Sequence, residues 1–416
     1  MRDKLSNMLV YAYKNVPFYK HLYEEKNINI SNIDDFLFKL PIAKKEMIIN
    51  SEYSNLSKEF LTQYYGNEFI LMNTSGSTGQ CLDVYWEMND YKRSLFPLWI
   101  KRSIKTSDKL CLFFANQYYE NKIIEDVGDI IYSKNIMMVN KNNWNQSKLR
   151  SICEKIAEFS PEWMILQPSI AVLLCHCINN NNIKLDKIKY IECTGEVLLD
   201  SVKKLIKDTF KCDVRNQYGC SEVNSIAYEC RCGNFVILEE VNFVEILKNG
   251  QKVPNGQEGH IYVTSLQNRA MPFIRYETGD TGIMYNSDYC KCGDKHKVLK
   301  LTNGRKTDLI DLPSGETVNA YIFVSVIERM NQYLDGCIKQ FQIIQESYNI
   351  FVVKLIVDED YKKSIDLLKQ IFISLIQQDS LFETMPEFIF EIYEDLFLGE
   401  NGKLSYFINN VFNSSL

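Results

Sequence analysis

Apolar residues at Leu5, Met8, Leu9, Tyr11, Ala12 and Tyr13 recur at helical spacing through residues 1–25, as on one face of an amphipathic helix. Asn15-Val16-Pro17 interrupts that helix, because proline brings no amide proton to the ladder. An apolar run at 68–72 and alternation at 82–86 predict two short strands. From residue 109 the pattern switches between strand-like and helix-like segments: strand 109–114, helix 148–159, strand 163–167, helix 169–178, strand 189–193, helix 199–210, strand 213–216. This βαβ rhythm predicts a parallel sheet covered by helices. Between 235 and 264 the elements shorten, with turns at Asn249-Gly250 and Asn255-Gly256, the pattern of an antiparallel subdomain. After Arg305 come a helix at 320–330, strands at 339–344 and 350–357 and a helix at 361–378. The expectation is an α/β protein with a large N-terminal domain, 1–303, and a small mobile α+β lid, 304–416.

A net charge of -6 leaves no basic excess for general nucleic-acid binding. The most apolar stretch, 164–178, contains Gln167, Pro168, Ser169 and His176 and is too short to span a bilayer. The opening MRDKLSNMLVYAYKNVPFYK has no apolar core ahead of a small-residue cleavage site, and 13 cysteines is an odd count. Together these predict a cytoplasmic protein with reduced thiols and no membrane partner. Whether it forms a homodimer is left open.

Five short polar segments could carry chemistry. Between the first two strands lies Thr74-Ser75-Gly76-Ser77-Thr78-Gly79. It lacks the Gly-Lys-Ser/Thr of a P-loop, so phosphate affinity would come from hydroxyls and converging backbone amides. A solvated Ser/Gly turn has the same composition. Asn216–Glu222 follows a predicted strand, so Glu222 could hold Mg²⁺ beyond a parallel strand end, while Tyr218 offers a flat face to a base. An ordinary βα loop would look alike. In Arg275–Asp280, Asp280 could accept hydrogen bonds from a ribose diol. Arg305 sits at the lid junction and could grip ribose or phosphate, and Lys403 sits in a Gly turn near the C-terminus.

In this order and spacing the segments resemble the adenylate-forming superfamily of CoA ligases, luciferases and peptide-synthetase adenylation domains. The opening NVPFYKHLYEEKNINISNIDDFLFKLPIAKKEM, the short chain and a Cys-containing segment between the Glu222 and Asp280 motifs are similar to the phenylacetate–CoA ligase-like branch. The resemblance implies ATP-dependent activation of a carboxylic acid as acyl-AMP, then transfer to a thiol, with CoA as the default. It assigns Thr74, Ser75, Gly76, Ser77, Thr78 and Gly79 to the ATP phosphates, and Glu222 to Mg²⁺. Gly195, Glu196, Tyr218, Gly219 and Ser221 fall to the adenine side. Asp280 and Arg305 fall to the ribose, and Lys403 to catalysis of adenylation. The sequence departs from the pattern at Cys220, usually apolar, at Thr307, where an acid is usual, and around Lys403.

By the same analogy the carboxylate pocket involves Phe113, Phe114, Ala115, Tyr118, Tyr119 and 167–170, whose aromatic, neutral character suits an aryl or arylacetic acid. A carrier-protein phosphopantetheine or an amine is an alternative acceptor. A non-catalytic nucleotide-binding protein is an alternative of another class. Finally, Cys230-Arg231-Cys232-Gly233 and Cys290-Lys291-Cys292-Gly293 form two Cys-x-Cys-Gly units, suited to structural Zn²⁺. His296 stands near enough in sequence to replace one thiolate. Cys175, His176 and Cys177 are expected in the core.

Overall fold

The computed structural model describes residues 2–28, 40–61, 69–73, 82–114, 118–119, 122–123, 129–141, 144, 146–303, 309–334, 336–379, 381–394 and 405–411. The chain forms two compact units, each drawing on two stretches of sequence. The first comprises Met1–Thr106 and Gln217–Asn303; the second comprises Ser107–Asn216 and Gly304–Leu416.

In the first unit the predicted break at Pro17 separates helices Arg2–Asn15 and Pro17–Glu25. Their apolar faces, including Leu9, Ala12, Tyr19 and Tyr23, pack into a core with Trp86, Ile226, Ile261, Phe273 and Tyr276. Strands Phe69–Asn73 and Asp83–Glu87 pair antiparallel. Helix Met88–Lys101 follows at once, its first amides capped by the Glu87 carboxylate, which meets the positive end of the helix.

The antiparallel region is larger than the sequence suggested. Consecutive neighbours are Gln251–Lys252, Asn242–Lys248, Glu258–Ser265, Tyr276–Tyr285, Val298–Asn303, Phe235–Ile237, Asn224–Glu229 and the end of Asp213–Cys220.

The second unit contains the expected parallel sheet. Tyr190–Thr194, Trp163–Leu166, Leu110–Phe114 and Ile136–Asn140 run parallel as neighbours, and Ile130–Ser133 adds an antiparallel edge. Helices Gln146–Phe159, Pro168–Asn181 and Asp200–Phe210 pack with the sheet through Ile152, Ile170, Cys175, Ile191, Cys193 and Ile206. Cys175 and Cys177 are buried as expected; His176 is half-buried, and burial lowers its pKa.

The C-terminal segment is α+β. Strands Ile338–Ser347 and Ile350–Val357 form a hairpin, flanked in parallel by Phe407–Asn409 and Glu387–Ile392. Helices Tyr321–Tyr333 and Ile365–Gln378 cover it through Phe323, Phe351, Phe372 and Phe388. Within the same unit, Asn331 Nδ2 donates to Ser201 Oγ at 3.3 Å, and Glu328 meets the backbone N–H groups of Asp200 and Ser201 at the start of helix Asp200–Phe210.

Candidate functional site

The segment Asn216–Cys220 is strand, not loop. The strand predicted to stop at 216 continues to Cys220, turns over Ser221–Val223 and returns as Asn224–Glu229. Glu222 therefore sits in the turn of an antiparallel hairpin, not in a βα crossover. The two arms approach closely: a Cβ on Gly219 would stand 2.2 Å from the Asn224 carbonyl oxygen, so this position excludes every side chain. A register shift between Tyr218 and Gly219 bends the hairpin here. The turn is also tied from outside, where the Trp86 indole donates to the Ser221 carbonyl oxygen at 3.0 Å. Trp86 is fully buried and lies on the strand that follows the Thr74–Gly79 segment.

The hairpin and the Arg275–Asp280 segment exchange tyrosines. Tyr218 Oη donates to Asp280 Oδ2 at 2.6 Å, and Tyr276 Oη donates to Glu222 Oε1 at 2.6 Å. Glu222 and Tyr276 are both buried. Burial, then the facing Glu222 and Cys220, push the Tyr276 hydroxyl far above its ordinary pKa. Burial and the facing Asp280 do the same for Tyr218. Both therefore remain donors at neutral pH. Cys220 is a further donor to Glu222, its thiol raised by burial and by that carboxylate.

The two strands that exchange these bonds are not neighbours. Asn224–Glu229, Phe235–Ile237 and Val298–Asn303 lie between them. In a flat sheet four spacings would hold them roughly 19 Å apart. Side-chain hydrogen bonding between them means that the sheet curls strongly.

Arg275 precedes Tyr276 with φ 46, a left-handed conformation that a long side chain seldom adopts. Its guanidinium holds it there, donating to both Glu245 oxygens at 3.0 and 3.2 Å and to the Leu40 carbonyl at 2.5 Å. Burial pushes the Glu245 carboxyl up, against the pull of Arg275.

In the second unit, Gly195 follows a parallel strand at φ 81, a turn that suits glycine. The Glu196 carboxylate accepts Ser169 N at 3.0 Å and Ser169 Oγ at 2.9 Å, capping helix Pro168–Asn181. In the expected carboxylate pocket Gln167 is buried, and its Oε1 has no hydrogen-bond partner in the described structure.

The cysteine units converge. The Sγ atoms of Cys230, Cys290 and Cys292 lie within 4.8 Å of one another, with Cys230 and Cys290 3.5 Å apart. Zinc bound to thiolates at about 2.3 Å sets sulfurs roughly 3.8 Å apart, so the spacing fits that ion. Cys232 is exposed, and its thiol hydrogen-bonds Cys290. Burial opposes ionisation of Cys290, yet the Cys292 amide, Asn234 and the adjacent thiols bring it down to about 7. Asp294 N donates to Cys292 Sγ at 3.5 Å, and the Asp294 carboxylate receives Lys101 at 2.6 Å and Tyr228 at 2.5 Å. His296 does not join the thiols. Its Nδ1 faces Asp294 at 3.3 Å and Glu240 at 3.6 Å, because the turn after Cys292 directs the ring to the acids.

Comparisons with known proteins meet this geometry. Residues 314–410 match the family described as the CapK C-terminal domain. The chain is 23% identical to Protein CapK of Staphylococcus aureus, over 96% of this chain and 86% of that one. It is 24% identical to a phenylacetate-coenzyme A ligase of Thermus thermophilus, over 74% of this chain and 70% of that one. Among solved structures, 2-hydroxyisobutyryl-CoA ligase in its postadenylation state superposes with a TM-score of 0.76 at 15% identity, covering 98% of this chain and 88% of that one. An anthranilate CoA ligase holding anthranoyl-AMP gives a TM-score of 0.55 at 14% identity, covering 80% of this chain and 65% of that one.

The chain has the fold of the adenylate-forming ligases and is similar in sequence to proteins named as CoA ligases. The resemblance drawn from its motifs, including the phenylacetate–CoA ligase-like branch, holds. On this adenylate-forming fold the structure brings Tyr218, Gly219, Ser221, Glu222 and Asp280 together in the first unit, with Gly195 and Glu196 in the second. Thr74, Ser75, Gly76, Ser77, Thr78, Gly79, Arg305 and Lys403 lie outside the described residues, as do the side chains of Tyr118 and Tyr119. Sequence reasoning missed Tyr276 and Trp86. For Tyr276 a signal was present: Tyr276 precedes Asp280 by the same interval as Tyr218 precedes Glu222.

Proposed function

We propose that this chain activates a carboxylic acid with ATP, forming an acyl-adenylate and pyrophosphate, and then passes the acyl group to a thiol, with CoA as the first candidate. The observation that carries this reading is the meeting of Glu222 and Asp280 through Tyr276 and Tyr218. Two acids from distant segments, each oriented by a neutral tyrosine donor, suit a metal–phosphate group and a ribose diol side by side. The relatives named as CoA ligases support the same chemistry.

In this reading Glu222 would be the carboxylate that holds Mg²⁺. Magnesium supplies charge neutralisation at the triphosphate. The resemblance to the adenylate-forming ligases assigns the β- and γ-phosphates to Thr74–Gly79, the ribose to Asp280 and Arg305, and the base to Tyr218, Gly195 and Glu196. Lys403 delivers a positive charge to the reacting carboxylate, so that catalysis is positioning plus electrostatics. The working boundary between the large domain and the lid is 303/304, and withdrawal of the lid opens the path for the thiol. Aromatic and neutral residues around Phe113, Phe114, Tyr118 and Tyr119 favour an aryl or arylacetic substrate. Cys230, Cys232, Cys290 and Cys292 hold a structural Zn²⁺, which clamps two loops of the antiparallel region. The setting is the cytoplasm, where these thiols stay reduced.

The test is carboxylate-dependent exchange of labelled pyrophosphate into ATP over a panel of aryl, arylacetic and aliphatic acids, followed by addition of CoA or a carrier protein. Exchange with an aryl acid and thioester formation with CoA are expected. Exchange that yields product only with a carrier protein or an amine would move the acceptor. Absence of exchange with every acid would count against an enzyme.

A further inference from the structure

We propose that Tyr276 and Tyr218 are positioning residues that lock the magnesium and ribose subsites into one rigid unit; this rests on the function proposed above. Each tyrosine belongs to one motif and holds the acid of the other. Tyr218 lies 62 residues from Asp280 and Tyr276 lies 54 residues from Glu222, and both bonds measure 2.6 Å. The pairs are crossed: the earlier residue of the hairpin, Tyr218, meets the later residue of the second strand, Asp280, and the later Glu222 meets the earlier Tyr276. The two segments are thus joined at two points by side chains, without a backbone ladder between them.

A carboxylate presents two oxygens, each with two lone pairs. Tyr276 engages Oε1 of Glu222 and Tyr218 engages Oδ2 of Asp280. Each acid is thereby held in a fixed orientation for its ligand. Without such a bond a buried carboxylate must be oriented by the ligand itself, which costs affinity. The support behind the pair is stiff. Tyr276 is buried in the core with Phe273 against its ring edge, and its backbone follows the left-handed Arg275 anchored by Glu245. On the other side Thr278 Oγ1 lies 3.4 Å from the Tyr218 hydroxyl and accepts the Asp280 amide proton at 3.2 Å.

The experiment compares the full-length chain with Tyr276→Phe, Tyr218→Phe and the double variant, each checked for unchanged circular dichroism. Isothermal titration measures AMP without metal, and Mg·ATP over a range of Mg²⁺. Tyr276→Phe is expected to raise the Mg²⁺ concentration at half-saturation about tenfold and to weaken AMP to a lesser extent, while Tyr218→Phe weakens AMP about tenfold, as for loss of a hydrogen bond to a charged group. The double variant should fall short of the product of the two effects on Mg·ATP, because either cut releases the shared unit. Raising Mg²⁺ should recover part of the pyrophosphate exchange that Tyr276→Phe loses, a dependence that general damage to the fold would not give. An unmoved Mg²⁺ titration in Tyr276→Phe, or effects of the two variants that simply multiply, overturns this inference alone. A wild-type chain that binds neither AMP nor Mg·ATP overturns the proposed function and this inference with it. If Tyr276→Phe fails to fold, Glu222→Ala, which removes the acceptor of its bond, takes its place in the cycle: there Tyr218→Phe should add less than its own single effect on Mg·ATP, and full multiplication counts against the proposal.

Discussion

Trp86 donates its indole N–H to the carbonyl oxygen of Ser221, 135 residues away, at 3.0 Å. Trp86 stands on the strand entered from the Thr74–Gly79 segment, and Ser221 stands one residue before Glu222. One bond thus ties the second strand of the proposed phosphate turn to the proposed metal turn. Trp86→Phe keeps most of the ring but leaves the Ser221 carbonyl unpaired in a buried setting. A loss of about 1–3 kcal/mol of stability is expected, with a rise in KM for ATP and little change in KM for the acid. Urea unfolding and steady-state kinetics check both; equal rises in the two KM values would argue against the link.

Glu222→Gln removes the charge and keeps the shape. Loss of pyrophosphate exchange by at least about a hundredfold is expected, the scale seen when one electrostatic stabiliser is deleted. Binding of AMP without metal should survive, because Asp280 and Tyr218 are untouched. Titration calorimetry with AMP separates this from misfolding.

Lys403→Ala tests the division of labour between the two half-reactions. Formation of the adenylate should stop, while reaction of a preformed acyl-adenylate with thiol should continue near the wild-type rate. Equal loss of both steps would remove Lys403 from its proposed role.

Cys290→Ser breaks the thiol cluster at a sulfur 3.5 Å from that of Cys230. Wild-type protein should carry one zinc per chain by elemental analysis, and the variant none. Because a structural ion contributes folding energy directly, the variant should melt several degrees lower, and a chelator should lower the wild type in the same way. Zinc-free wild-type protein with an unchanged melt would end the assignment.

Glu328 gives a pH dependence. Burial, then the nearby Asp200, push its carboxyl up to about 7, against the pull of the Asp200 and Ser201 amides. Tyr321 faces the same acids. The folded chain thus binds the proton more tightly than the unfolded chain, so this contribution to stability is complete below the ordinary value of 4.5 and is lost as pH rises towards about 7. Because the group is partly exposed, the effect is expected to be about 2–4 °C in Tm. Glu328→Gln should flatten the Tm profile between those limits. A variant that keeps the wild-type slope assigns the effect elsewhere.

Much of this protein was legible in the chain itself. The helix break at Pro17, the parallel strands 110–114, 163–166 and 190–194 with their helices, and the C-terminal α+β segment all follow from local periodicity and backbone chemistry. Each of these signals is complete within one element and its neighbours. The order of the motifs carried the family resemblance in the same way.

What the chain could not state alone is which distant side chains meet. Nothing local to Asn216–Glu222 shows that the strand runs through to Cys220, because the pairing that extends it is made by residues after the turn. Nor does either motif reveal that its tyrosine serves the other's acid. That follows from the curl of a sheet in which three strands separate the two, and curl is set by packing and close backbone approach across the whole sheet. The sequence determined the elements and the chemical groups they carry. Tertiary structure alone decided that Tyr218 would meet Asp280, that Tyr276 would meet Glu222, and that the thiols of two separate turns would converge.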